Sequence, residues 1–85
     1  MNAMYVSYDT EARATYVQVT EADVAETVQL SDSVMVDLDG AGSSVGVEFL
    51  VLPGAITDEM LDLVVTGFPD LVELRDRSAW LLPAG

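Results

Sequence analysis

Apolar side chains recur at every second position along much of the first fifty residues. Met4, Val6 and Tyr8 share one parity and Tyr5 and Ser7 the other. Such alternation is the mark of a half-buried strand, because successive side chains leave a pleated backbone on opposite sides. Asp9-Thr10-Glu11-Ala12-Arg13 is polar and turn-like. Ala14 to Thr20 is rich in Thr, Tyr and Val, residue types that suit a pleated surface. The two runs predict a β-hairpin. After the polar break Glu21-Ala22-Asp23, Val24, Val28 and Leu30 fall on one parity, with Glu26 at the strand's open end. Ser31-Asp32-Ser33 interrupts, and Val34, Val36 and Leu38 follow with Asp37 facing the other way. Asp39-Gly40-Ala41-Gly42 is a turn, since glycine tolerates positive φ. Val45, Val47, Phe49 and Val51 then alternate with Gly46, Glu48 and Leu50. Gly46 has no side chain, which marks a place where another group packs closely.

Pro53-Gly54 ends the strand pattern, and the period changes. Ile56, Met60, Leu61, Val64, Val65 and Phe68 recur at helical spacing. Thr57 or Asp58 can cap this helix, and Asp58 and Glu59 sit at its positive end. Gly67 and Pro69 stop it. The expected helix runs from about Asp58 to Thr66. Pro69 to Arg75 reads either as a second helix, with Pro in its first turn, or as a short strand around Val72-Glu73-Leu74-Arg75. Trp80, Leu81 and Leu82 form an apolar cluster that must dock on the sheet or on a partner chain. Each strand has one apolar parity and a mixed opposite one, which fits a sheet covered on one side. The expected fold is α+β: an antiparallel β-meander of four to five short strands, followed by a C-terminal helix packed on one sheet face. One domain spans 1–85, with the sheet in 1–52 and the helix and tail in 53–85.

Composition narrows the chemistry. The 85 residues carry fifteen Asp and Glu against three Arg, a formal net charge of −12, with no His and no Cys. Arg13, Arg75 and Arg77 account for all the basic residues, so there is no Lys. Disulfides, thiol nucleophiles, thiolate zinc sites, Ser-His-Asp triads, Schiff bases and P-loop lysines are all excluded. Any catalysis would fall to carboxylates, hydroxyls and a hard metal ion, and a non-enzyme is expected. No cofactor is expected. The negative charge repels phosphates and anionic lipids, which argues against direct nucleic-acid or membrane binding and favours a basic protein partner or simple solubility. No apolar run approaches the ~20 residues of a membrane helix, and residues 1–8 lack the basic and apolar regions of a signal peptide. A cytoplasmic protein is expected, with Met4 an alternative start. A chain this short buries only about two thirds of its unfolded surface, which makes homo-oligomerisation a common supplement.

Three constellations bear on chemistry. Asp37-Leu38-Asp39-Gly40 looks like the start of a calcium loop, but with Gly40 at position six, positions one and twelve are Met35 and Gly46, so an EF-hand fails. Asp37 and Glu48 can share the less apolar face of adjacent strands, either as a carboxylate pair with Asp39 nearby for a metal or hydrolytic site, or as ordinary charges on a wet face. Tyr5, Tyr16 and the Thr side chains of the second strand form an aromatic–hydroxyl face suited to a protein partner or to plain cross-strand pairing. The candidate partner contacts are Tyr5, Tyr16, Trp80, Leu81 and Leu82.

Tyr8-Asp9-Thr10-Glu11-Ala12-Arg13-Ala14-Thr15-Tyr16-Val17 resembles the opening of a small bacterial family, domain of unknown function 2283. Val24-Ala25-Glu26-Thr27 is similar to its next segment. Val34-Met35-Val36-Asp37-Leu38-Asp39, the glycine turn and Val45-Gly46-Val47-Glu48-Phe49-Leu50 are similar to its closing stretch. The resemblance covers about Tyr5 to Leu52. The chain departs from the pattern at Thr10, Arg13 and Thr15, where the family usually has Pro, Asp and Leu. The resemblance implies a compact β-meander with a C-terminal helix, and it supplies no established reaction and no accepted catalytic residues. It also implies an antitoxin-like role, since some members occur beside small toxin-like proteins. The expected function is therefore a non-enzymatic acidic protein-binding module, antitoxin-like, that covers a basic partner. Its alternatives are a self-associating structural homo-oligomer, such as a homodimer, a weak carboxylate metal or hydrolytic site, and a DNA mimic resting on charge alone.

Overall fold

The computed structural model describes residues 5–75. Five strands, β1 (Tyr5–Asp9), β2 (Ala14–Gln18), β3 (Glu26–Ser31), β4 (Val34–Leu38) and β5 (Ser44–Phe49), form one sheet in which every pairing is antiparallel. One helix, α1 (Asp58–Gly67), follows. A 3-10 turn at Pro53–Ala55 precedes it, and a 3-10 segment, Pro69–Arg75, kinked at Leu71, comes after. The α+β antiparallel architecture with a helix on one face is as the alternation and the helical period predict.

The strand order is β1-β2-β5-β4-β3. This departs from a single meander at one connection. β3, β4 and β5 do form a meander, and β1 and β2 a hairpin. The chain after β2 crosses to the far edge, however, and β2 pairs with β5 instead of β3. Strands β2 to β5 thus take a Greek-key order read against chain direction. The reason is burial. Val17 is placed opposite Val47, and Val47 opposite Val36, so the most apolar strands sit in the middle and the polar β3 at the edge.

Local chemistry sets the turns. Asp9 Oδ1 accepts from the Glu11 and Ala12 amides at 2.9 and 3.2 Å, an Asx turn that closes the first hairpin. Arg13 takes a left-handed φ of 54° there, a position usually given to glycine or asparagine. Asp39 Oδ1 accepts from the Ala41 and Ser43 amides at 2.9 Å each, and Gly42 supplies a φ of 85°. Asp39 is therefore the scaffold of the β4–β5 turn.

The core lies on one face. Val17, Val34, Val36, Val47 and Phe49 are fully buried there, with Leu61 and Val64 of α1 and Leu71 and Leu74 of the last segment closing over them. Each such side chain contributes roughly 1.5–3 kcal/mol by leaving water. Thr57 caps α1, its hydroxyl accepting from the Met60 amide at 3.2 Å, and Asp58 and Glu59 occupy the first turn. Pro69–Arg75 is helical, which resolves the two readings of that stretch: Leu71 and Leu74 are three apart and both reach the core.

Candidate functional site

The other sheet face is uncovered by α1. Two rows of side chains cross it. One contains Tyr5, Gln18, Gly46, Asp37 and Thr27, and the other Ser7, Tyr16, Glu48, Met35 and Gln29. Tyr16 and Asp37 lie in different rows and two strands apart, yet they touch. The Tyr16 ring runs diagonally over β5, and its hydroxyl donates to Asp37 Oδ2 at 2.9 Å. Thr27 Oγ1 donates to Asp37 Oδ1 at 2.7 Å. The three side chains make a polar staple from β2 across β5 to β4 and β3.

Gly46 makes the staple possible. It sits under the Tyr16 ring, and a Cβ there would lie 2.2 Å from the Tyr16 hydroxyl oxygen and 2.4 Å from Cζ. The close approach inferred from the missing side chain is this one. Burial, the hydrogen bond to Asp37, and the charges of Asp37 and Glu48 push the Tyr16 phenol up to about 12. Tyr16 is therefore a neutral donor at physiological pH, unsuited to act as a base or nucleophile.

Tyr5 and Tyr16 share the open face, as expected, but are not cross-strand partners: Tyr5 is opposite Gln18 and Tyr16 opposite Ser7. Tyr5 is 62% exposed at the sheet edge. Thr15 does not belong to the aromatic–hydroxyl face. It is fully buried on the core side, and its hydroxyl donates to the Val51 carbonyl at 2.7 Å. The parity of Val17 fixes this, because residues two apart on a strand share a face. Trp80, Leu81 and Leu82 lie outside the described residues. Asp37 and Glu48 share the open face but sit diagonally, Glu48 opposite Met35 and Asp37 opposite Gly46. Asp39 is engaged in its turn. Among the described residues no group of three potential metal ligands is assembled. Thr27 was not singled out by sequence. Its signal was its register opposite Asp37, visible only once β3 and β4 are paired.

Two small concavities lie among the described residues. A shallow groove of about 270 Å³ beside the first hairpin is lined by Tyr8, Asp9, Tyr16 and Glu48, among others. A second, of about 180 Å³, lies between Val19, Thr20, Ser44 and the Asp70–Leu74 stretch. Both fall below the roughly 300–1,000 Å³ typical of small-molecule sites. No helix among the described residues is long and apolar enough to cross a membrane.

The model of one protein family, described as "Protein of unknown function (DUF2283)", matches residues 5–51, which is the whole sheet without α1. No curated protein and no solved structure matches the chain.

Proposed function

The chain belongs to the DUF2283 family of proteins of unknown function, and from that premise we propose that it is a non-enzymatic, acidic protein-binding module that covers a basic partner. The observation that carries the reading is the open sheet face. It presents the Asp37 and Glu48 carboxylates beside Tyr16 and the exposed Tyr5, and neither of its two rows contains an arginine. Of the described cations, Arg75 is committed to Asp62 on α1, and Arg13 sits in the hairpin turn. A net charge of −12 adds long-range attraction for a basic surface and speeds its capture. The stapled Tyr16 gives that surface a preformed shape, which lowers the ordering cost of association. In the antitoxin-like form of this reading, the partner is a small basic toxin, and Trp80, Leu81 and Leu82 supply an apolar anchor.

The test is affinity capture from the native host's lysate by the intact chain and by Glu48→Lys. Mass spectrometry of the eluate and the absolute mass of the complex are the readouts. One stoichiometric basic protein, held by the wild type and lost with Glu48→Lys or raised salt, is the expected result. Capture of no protein, or of one indifferent to both changes, removes the reading.

A further inference from the structure

β1 is an edge strand, and among the described residues it pairs with β2 alone. The phase of the ladder shows which backbone groups face outward. The Val19 amide donates to the Val45 carbonyl at 2.8 Å. Val19 and Val45 are therefore a hydrogen-bonded pair of the β2–β5 ladder, and so, two residues along, are Val17 and Val47. Tyr16 and Gln18 must turn their backbone groups the other way, toward Ser7 and Tyr5 of β1. That leaves the N–H and C=O groups of Val6 and Tyr8 pointing away from the sheet.

Protected edges carry Lys, Pro, inward charges or bulges. β1 has none of these from Tyr5 to Tyr8, and its register with β2 is unbroken. The opposite edge does carry them: β3 opens on Glu26, follows Glu21 and Asp23, and has a bulge between Gln29 and Ser31. The charge distribution spares the same side. Residues 5–20 hold Asp9 and Glu11 against Arg13, and the other thirteen acids lie beyond Thr20. Two copies meeting along β1 thus bring together the least acidic part of each.

We propose that a second copy of this chain pairs antiparallel with β1 about a two-fold axis at Ser7, joining the two sheets into one of ten strands. In this register the outward groups of Val6 bond those of the partner's Tyr8, and the reciprocal pair repeats it. The two side chains also fall on the same, core-side face, where Tyr8 is 53% exposed and Val6 half-buried in the single chain. Ser7 meets its own copy on the open side, a pair small enough to leave the approach clear. This interface uses the sheet's edge and leaves the face proposed for a basic partner uncovered.

The chain has no cysteine, so a single introduced thiol reads the register directly. In a non-hydrogen-bonded antiparallel pair the Cα atoms lie about 4.5 Å apart, within disulfide range. The experiment is the solution mass of the full chain across a concentration series, for wild type, Tyr8→Pro and Ser7→Cys, with Thr66→Cys on the exposed side of α1 as control. The wild type is expected to reach twice the chain mass. Tyr8→Pro, which removes an outward donor and the half-exposed ring at the interface but no hydrogen bond to β2, is expected to return it to monomer with unchanged circular dichroism. Ser7→Cys is expected to form a covalent dimer under mild oxidation at least tenfold faster than Thr66→Cys. A monomer at every concentration, a dimer that survives in folded Tyr8→Pro, or equal cross-linking of the two thiols overturns the proposal. Should Tyr8→Pro lose its sheet signal, the Ser7→Cys comparison decides. Loss of a captured basic protein bears on neither mass nor cross-link, so the two proposals fail separately.

Discussion

Phe49 and Glu48 are neighbours on β5 and belong to two differently built surfaces. Phe49 is sealed among Val34, Val36, Val47 and the residues of α1, in a layer held by many weak, non-directional contacts. Glu48 faces a layer held by a few directional ones: Tyr16 to Asp37, Thr27 to Asp37, and a ring resting on a bare glycine. A layer of the first kind responds to lost volume. One of the second kind responds to the position of a single atom. That difference explains why a sheet with one solvated face still has a residue on that face, Gly46, that the structure buries.

The largest effect belongs to the packed face. Phe49→Ala should cost about 3–5 kcal/mol, a large part of the stability of a domain this size, in urea or thermal unfolding. A cost below about 1 kcal/mol would mean that Phe49 does not anchor the core.

A sharper probe of the contrast is Gly46→Ala. Adding one methyl to the open face should cost about 1–3 kcal/mol, because the Tyr16 ring must leave its seat and give up Asp37. In a Tyr16→Ala background the same methyl should be neutral or slightly stabilising, since a strand glycine is entropically costly and its obstacle is gone. Equal costs in both backgrounds would show that the ring and the glycine are not coupled.

The smallest expected change comes from Tyr16→Phe, which keeps the ring and removes the hydroxyl. It should cost about 0.5–1.5 kcal/mol near neutral pH. Its clearer signature is in alkali. Tyr16 ionises near 10 when unfolded and about 12 when folded, so its contribution is fully present below pH 10 and lost as pH rises through 12. Wild-type stability should therefore fall more steeply between pH 10 and 12 than that of Tyr16→Phe, as measured by denaturant unfolding at stepped pH. Parallel slopes would mean that the phenol is not held neutral by its surroundings.

Much of this molecule is legible in its sequence, for reasons that can be located. Val34-Val36-Leu38 and Val45-Val47-Phe49 declare their strands because one face of each is buried without exception. Thr57, Asp58 and Gly67 bracket α1 to within a residue because caps are local chemistry. What did not show was adjacency. Nothing local says that β2 will lie beside β5, since that choice is made by which valines meet in the core. Without it, the diagonal from Tyr16 to Asp37 cannot be drawn. The side of the sheet that Thr15 takes is hidden for a different reason. Thr is at home on either side of a sheet, and only its parity with Val17 reveals a hydroxyl that satisfies the Val51 carbonyl in the interior.

The strand order has a bearing on how the chain reaches this state. The β1–β2 hairpin and the β3–β4–β5 meander each close through short turns. They meet along one seam, where Thr15 must find Phe49 and Val17 must find Val47. The entropy of loop closure thus falls mainly on that seam, and contacts of this separation slow folding more than local ones do. Of the pairings in the sheet, the docking of hairpin onto meander is the one that joins residues farthest apart along the chain.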